Sequence, residues 1–210
     1  VVTANKVGEV KTVGGVDVSV QGDTSRAAVV VLSYPDLSPM DSSVAELPVQ
    51  FPYVPGLLSF REVPAILAAF DKLPRLPDLT IIDGQGIAHP RRIGIATHLG
   101  VLLDHPTIGC AKSRLCGEYK EPGDEAGSYT YLYDRGEVIG AVVRTKDHVA
   151  PLFVSVGHCV DLATAIAYVL RCCGKYRLPE TTRLAHQVAG GMSFSVHDDQ
   201  DRELQMRLPI

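Results

Sequence analysis

The chain is 210 residues long, 46% hydrophobic and 21% charged, the balance of a globular domain with enough apolar material for one core. No apolar run approaches the roughly 20 residues of a bilayer-crossing helix, and the first eleven residues lack the basic-then-apolar layout of a secretory leader, so a cytoplasmic protein with no membrane partner is expected. A formal net charge of -4 argues against indiscriminate nucleic-acid binding, which rests on Lys and Arg neutralising phosphate. Cys110, Cys116, Cys159, Cys172 and Cys173 are odd in number and lack C-x-x-C spacing, which argues against a disulfide framework and a structural zinc site.

Val16, Val18 and Val20 alternate with Asp17 and Ser19, the period of a strand with one buried face, and this sends the Asp17 carboxylate to the other face. Strands over 28–32 and 44–49 follow, joined through turns at 21–23 and 34–36, and an antiparallel meander is predicted. Ile66, Leu67, Ala69, Phe70 and Leu73 recur at helical spacing. Pro64 suits only a first turn, so the helix is expected to begin near Glu62, and Pro74 and Pro77 end it. Residues 79–82 read as a short buried strand, 93–103 as a helix and 107–111 as another buried strand. Strands at 129–133, 138–144 and 152–156 precede a helix over 162–173, with Asp161 as its N-cap and Gly174 as its terminator. The pattern is that of an α/β protein with a mixed sheet flanked by helices. Residues 1–189 are expected to form a single domain, and 190–210, which carries Asp198, Asp199, Asp201 and Glu203, a tail of unknown role.

Asp17, Glu62 and Asp83 are bland one at a time. An Asp after a strand is usually a turn former, and Ser59-x-x-Glu62 has the spacing of a capping box. Brought together, they make the hard-oxygen cage that a divalent metal needs for phosphodiester chemistry. Lys112 follows the strand 107–111 and should emerge beside Asp83, where a cation can hold a phosphate; an ordinary exposed lysine is the alternative. Pro52-Tyr53-Val54-Pro55 stiffens a short loop around one ring, the construction of a wedge for a base stack or, equally, of a turn packed on the core. Arg91, Arg92, Lys112 and Arg114 concentrate positive charge around these segments, while His98 and His105 read as structural.

Four segments, Phe51-Pro52-Tyr53-Val54-Pro55-Gly56-Leu57-Leu58-Ser59-Phe60-Arg61-Glu62, Asp83-Gly84-Gln85-Gly86-Ile87-Ala88-His89-Pro90-Arg91-Arg92, Pro106-Thr107-Ile108-Gly109-Cys110-Ala111-Lys112-Ser113-Arg114-Leu115 and Gly157-His158, resemble in order and spacing the endonuclease V family, which nicks nucleic acid near deaminated bases such as hypoxanthine. The resemblance runs from about Gly14 to about Ala189. It implies a ribonuclease H-like fold, with Asp17, Glu62 and Asp83 as metal-binding catalytic carboxylates and with Lys112 and His89 as further catalytic residues. It also implies Tyr53 as the wedge on the Pro52 and Pro55 scaffold. Gly56, Gly84, Gly86 and Gly109 would let backbone approach a turned-out base, with His158 close by. The expected cofactor is Mg2+, with Mn2+ substituting.

The expected reaction is hydrolysis of the second phosphodiester bond 3′ to deoxyinosine, leaving 3′-hydroxyl and 5′-phosphate ends, by a monomer acting in DNA repair. Pro90-Arg91-Arg92 and Arg183-Leu184-Ala185-His186 resemble bacterial members and favour DNA. Inosine-containing RNA and a non-catalytic binder of damaged nucleic acid are the alternatives. Bacterial members usually carry a helical segment ahead of the first strand, and the lead here is shorter, so a truncated N-terminus is expected.

Overall fold

The computed structural model describes residues 1–194; the acidic stretch from Asp198 to Glu203 lies outside the described residues. The meander forms as expected from β1 (Thr12–Gln21), β2 (Thr24–Ser33) and β3 (Pro39–Pro48). The third strand starts earlier than its apolar residues suggest, because Asp41, Ser42 and Ser43 pair with Val31, Val30 and Val29, where ladder register rather than hydrophobicity fixes the backbone. Helix α1 (Leu58–Phe70) leads to β4 (Leu79–Ile82), α2 (Ile95–Leu103) and β5 (Thr107–Ala111). Then come β6 (Tyr129–Asp134), β7 (Glu137–Val143), β8 (Leu152–His158), α3 (Leu162–Cys172) and α4 (Glu180–Ala189).

All eight strands join one sheet in the order β3-β2-β1-β4-β5-β8-β7-β6. β4 runs parallel to both β1 and β5, and the other pairings are antiparallel. The three central strands therefore end at the same edge, where an open α/β sheet receives its ligands. Helices α1 and α2 cover one face through Ile66, Phe70, Ala96 and Leu99 against Val16, Val29 and Ile82. Helices α3 and α4 cover the other, through Ile166 and Val169 against Ile81, Val154 and their neighbours and through Ala185 and Val188 against Ala28 and Val30.

Two helices differ from expectation. α1 begins at Leu58, and Pro64 lies inside it. The proline removes one bond, to the carbonyl of Phe60, and Phe60 is exposed, so water can take that carbonyl. No side chain caps the start, which disposes of the capping box at Ser59. α4 is absent from the sequence reading because its buried face is Thr181, Thr182, Ala185, Val188 and Ala189, small residues with little apolar signal. That smallness lets it lie close on β1: a Cβ on Gly15 would stand 2.1 Å from the Thr181 carbonyl oxygen. In α3 the Asp161 side chain accepts the Thr164 N–H at 2.7 Å, the N-cap expected of it. All five cysteines are free, and burial pushes the Cys172 and Cys173 thiols up to about 12.

Candidate active site

β1 and β4 pair in parallel up to Val16 and Ile82, and the Asp83 N–H reaches on to the Val16 carbonyl at 3.4 Å. Asp17 and Asp83 are thus the next residues along two adjacent strands. Val16 is buried beneath α1 and α2, so Asp17 faces the opposite side, where α4 meets it: His186 Nδ1 lies 2.8 Å from Asp17 Oδ2. Glu62 comes from the second turn of α1. Lys112, immediately after β5, sets its Nζ 2.5 Å from Asp83 Oδ2, at the end of the sheet expected for it.

The electrostatics record the crowding. Burial pushes the Glu62 carboxyl up to about 7, and the charges of Asp17 and Asp83 push the same way, against the neighbouring Arg61. Asp17 is also raised, chiefly by burial and further by Asp83, although its hydrogen bond to His186 opposes the rise. Carboxylates that are largely shielded from water and feel one another's charge, with one lysine beside Asp83, are held at a cost that a bound cation would offset, although among the described residues their ligand atoms do not all come within 4.8 Å of one another. Their donor set, all hard oxygen, fits a magnesium-like ion. His186 entered the sequence reading only as the end of Arg183-Leu184-Ala185-His186 and not as a site residue, although that segment's resemblance to bacterial members was the available signal.

A cavity of about 360 Å³ opens beside Asp83, lined also by Gly84, Lys112, Arg114, Tyr53 and His89. Tyr53 is 64% exposed, which excludes the core-packed turn. Gly56 and Gly84 line this cavity, and both carry the positive φ that favours glycine, 76° and 157°. His89 is buried. Its Nδ1 accepts the Arg91 N–H at 3.2 Å, and burial with the nearby Arg91 lowers its pKa against a hydrogen bond to the Gly56 backbone. Arg91 Nη2 donates to the same Gly56 carbonyl. These contacts tie the tyrosine loop to the segment after β4 and engage both ring nitrogens, so His89 holds the loop.

Other expected residues fall elsewhere. His158 pairs with Thr107, the first residue of β5, whereas Lys112 follows the last. It therefore stands at the far end of the sheet from the carboxylates, because β8 runs antiparallel to β5. Its Nδ1 accepts the Val2 N–H at 3.2 Å and its Nε2 faces Asp104 Oδ1 at 3.3 Å. Asp104, His158 and Cys159 bring possible ligand atoms within 4.8 Å of one another, but an imidazole that accepts at Nδ1 carries its proton on Nε2 and has no lone pair there for a metal.

Gly86 and Gly109 do not line the cavity. A Cβ on Gly86 would be 2.0 Å from the Val156 carbonyl and one on Gly109 2.3 Å from the Gly86 nitrogen, so these glycines pack backbone on backbone within the protein. Pro52 and Pro55 flank Tyr53 without lining the cavity. Arg92 is also remote, paired with Asp134 and Glu137 at 2.9 and 3.1 Å. A larger hollow of about 600 Å³ near Ile87 and Leu162 has only this paired Arg92 and Glu137 as charged lining.

A mixed sheet with carboxylates gathered where its parallel strands end defines a nuclease of the ribonuclease H-like fold. The profile of the family described as Endonuclease V matches residues 1–187. The endonuclease V of Trichormus variabilis is 58% identical over 182 residues, which span 86% of this chain and 82% of that one. The crystal structure of the Streptomyces avermitilis endonuclease V superposes with a TM-score of 0.86 at 42% identity, covering 98% of this chain and 87% of the other. The Ciona intestinalis endonuclease V, solved with a 24mer DNA containing an inosine followed by a ribo-adenosine, superposes at 0.75 with 30% identity, covering 94% and 87%. The chain belongs to the endonuclease V family and is an endonuclease whose partner is nucleic acid and whose chemistry implies a divalent metal. No helix among the described residues is long and apolar enough to cross a membrane.

Proposed function

We propose that this endonuclease recognises hypoxanthine in DNA and hydrolyses the second phosphodiester bond on its 3′ side, with Mg2+ as the working ion and Mn2+ as a substitute. The observation that carries the reading is the raised pKa of Asp17 and Glu62, by burial and by the charge of Asp83, with Asp83 itself on the wall of a cavity large enough for a base. The inosine in the DNA bound by the Ciona enzyme supports the choice of lesion.

In this reading Asp17, Glu62 and Asp83 hold the metal, and His186 orients Asp17. The ion would supply activation of the attacking water and neutralisation of charge at the phosphate. Lys112 donates to a phosphate oxygen and, on doing so, exchanges its contact with Asp83 for one with substrate. Tyr53 fills the stack vacated by the turned-out base, and Gly56 and Gly84 leave room for that base beside the backbone. His89 and Arg91 keep the tyrosine loop in register with the cavity. Residues 1–189 act as one domain, as a monomer in the cytoplasm.

The test is a nicking assay on matched duplexes with and without one deoxyinosine, in magnesium and in chelator, with an inosine-containing RNA alongside. Cleavage restricted to the deoxyinosine strand, one nucleotide removed from the lesion and dependent on magnesium, is expected. Equal nicking of the undamaged duplex would end the lesion reading, and cleavage of the RNA alone would move the substrate to inosine in RNA.

A further inference from the structure

A second hollow lies on the α1 side of the sheet, with a volume of about 230 Å³ and with Ser25, Gln50, Phe51, Phe60 and Arg61 in its lining. Two features distinguish it from a packing gap. Ser25 is only 1% exposed, yet among the described residues its Oγ has no hydrogen-bond partner, and a buried hydroxyl left unpaired is costly to the fold. The Nε of Arg61 is likewise buried and unpaired. Among the described residues no carboxylate lines the hollow, and although Arg61 also acts on the charge of Glu62 beside it, one guanidinium, one hydroxyl and the Gln50 amide share a lining without an acid in it, a donor set that suits a singly charged phosphodiester.

Its place along the sheet says which phosphate. Asp17 pairs with Ala28 and Val20 with Ser25, so Ser25 lies three residues further toward the hairpin, roughly 10 Å along the strand. Arg61 directly precedes Glu62. The hollow is thus too far from Asp17 to share its phosphate and near enough to take another on the same strand.

We propose that Ser25 and Arg61, with Gln50 at the mouth, form a seat for a non-scissile phosphate of the bound strand and so fix its register relative to the carboxylates. The seat rests on the nucleic-acid reading of the site above. Phe51 and Phe60, with ring centroids 5.9 Å apart, wall it and keep its donors partly dry, where a charge-assisted hydrogen bond is strongest.

The experiment is a neutral-phosphate walk. Oligonucleotides with a single methylphosphonate at successive positions around one deoxyinosine are bound in calcium by wild type, Ser25→Ala and Arg61→Gln, and wild-type nicking is followed separately in magnesium on the unmodified strand. At one position away from the cut, neutralisation should weaken wild-type binding by about tenfold and leave both variants nearly unaffected, since they have already lost that contact. Arg61→Gln should also reduce the slope of log affinity against log salt by about one.

Thermal melting checks that both variants fold; Ser25→Ala removes a single oxygen, so the positional result can be read from it alone. A walk in which all three proteins respond alike at every position overturns the seat. So does competition by inorganic phosphate that Ser25→Ala abolishes while no position of the strand is selective, because the hollow would then hold a free anion. Wild type that nicks at deoxyinosine without a selective position loses the seat alone. Wild type that shows the selective position yet never nicks keeps the seat and loses the functional reading.

Discussion

Replacing Glu62 by Gln should stabilise the metal-free protein at alkaline pH while destroying its cleavage activity. The Glu62 carboxyl is raised from 4.5 to about 7, by burial first and then by Asp17, with Asp83 adding to it and Arg61 opposing. A carboxyl raised on folding binds its proton more tightly in the native state. Stability is therefore undiminished below the ordinary value near 4.5 and is lost as pH climbs to about 7, with the full penalty above that. At about 1.4 kcal/mol per pKa unit the penalty is about 3 kcal/mol at pH 8.5 and under about 1 kcal/mol at pH 5. Gln keeps the shape and has no charge to desolvate. For a chain of this size each kcal/mol moves the melting temperature by about 2–4 °C, so Glu62→Gln should melt about 6–12 °C above wild type at pH 8.5 in chelator, with most of the difference gone at pH 5.

The assay is a pair of thermal melts at those two pH values, repeated with magnesium. Added magnesium should raise the wild-type midpoint through mass action and should raise that of Glu62→Gln far less. Equal melting of the two proteins at pH 8.5, or a gain that is the same at pH 5, would refute the claim that Glu62 is held charged against its surroundings. The link from crowding to metal affinity would fall with it. The expectation follows the general trade between a strained site and a stable fold.

Asp83→Asn should abolish nicking in magnesium while leaving binding in calcium largely intact, because calcium is larger and looser in its coordination; substantial nicking by the variant removes Asp83 from the reaction. Lys112→Ala should slow cleavage of every competent substrate by a similar factor without altering the preference for inosine over adenine, and a shift in that preference would mean that Lys112 meets the base. Tyr53→Ala should weaken binding to an inosine-containing duplex by about one to two orders of magnitude and should affect single strands less. Its melting temperature should match wild type, since Tyr53 is exposed; a large loss of stability with normal duplex affinity would overturn the wedge.

Much of this arrangement is legible in the chain because local rules and tertiary placement agree. The valine alternation around Asp17 predicts which face its carboxylate leaves by, and the runs at 79–82 and 107–111 coincide with β4 and β5 to the residue. Asp83 and Lys112 follow directly as residues just past parallel strands. His158 shows the limit of the same rule. It too ends an apolar strand, but strand direction is a property of the sheet, and β8 runs against β5, which carries His158 to the far end. Gly86 and Gly109 mislead for a related reason: the need for a small residue is visible, but what approaches it is here the protein's own backbone. α4 eluded periodicity because threonine and alanine make its buried face.

Those departures share one cause, and it bears on how the site is built. The carboxylates are supplied by three separate elements, β1 and, beyond β2 and β3, α1 and the end of β4, and each is fixed by packing that owes nothing to its acid. Val16 and Ile82 are held beneath α1 and α2, so the strand ends stay in register whether or not the acids carry charge. Gly15 permits the close approach of α4, which delivers His186 to Asp17 from the opposite face of the sheet. Asp17 and Glu62 can therefore be raised, by burial first and by neighbouring acids after it, without unfolding their supports, because the apolar core on either side bears the cost. A site assembled in this way requires Gly15 to remain small even though it touches no substrate. Gly15→Ala would drive its methyl into the Thr181 carbonyl, displace α4, and release Asp17 from the one hydrogen bond that opposes its rise.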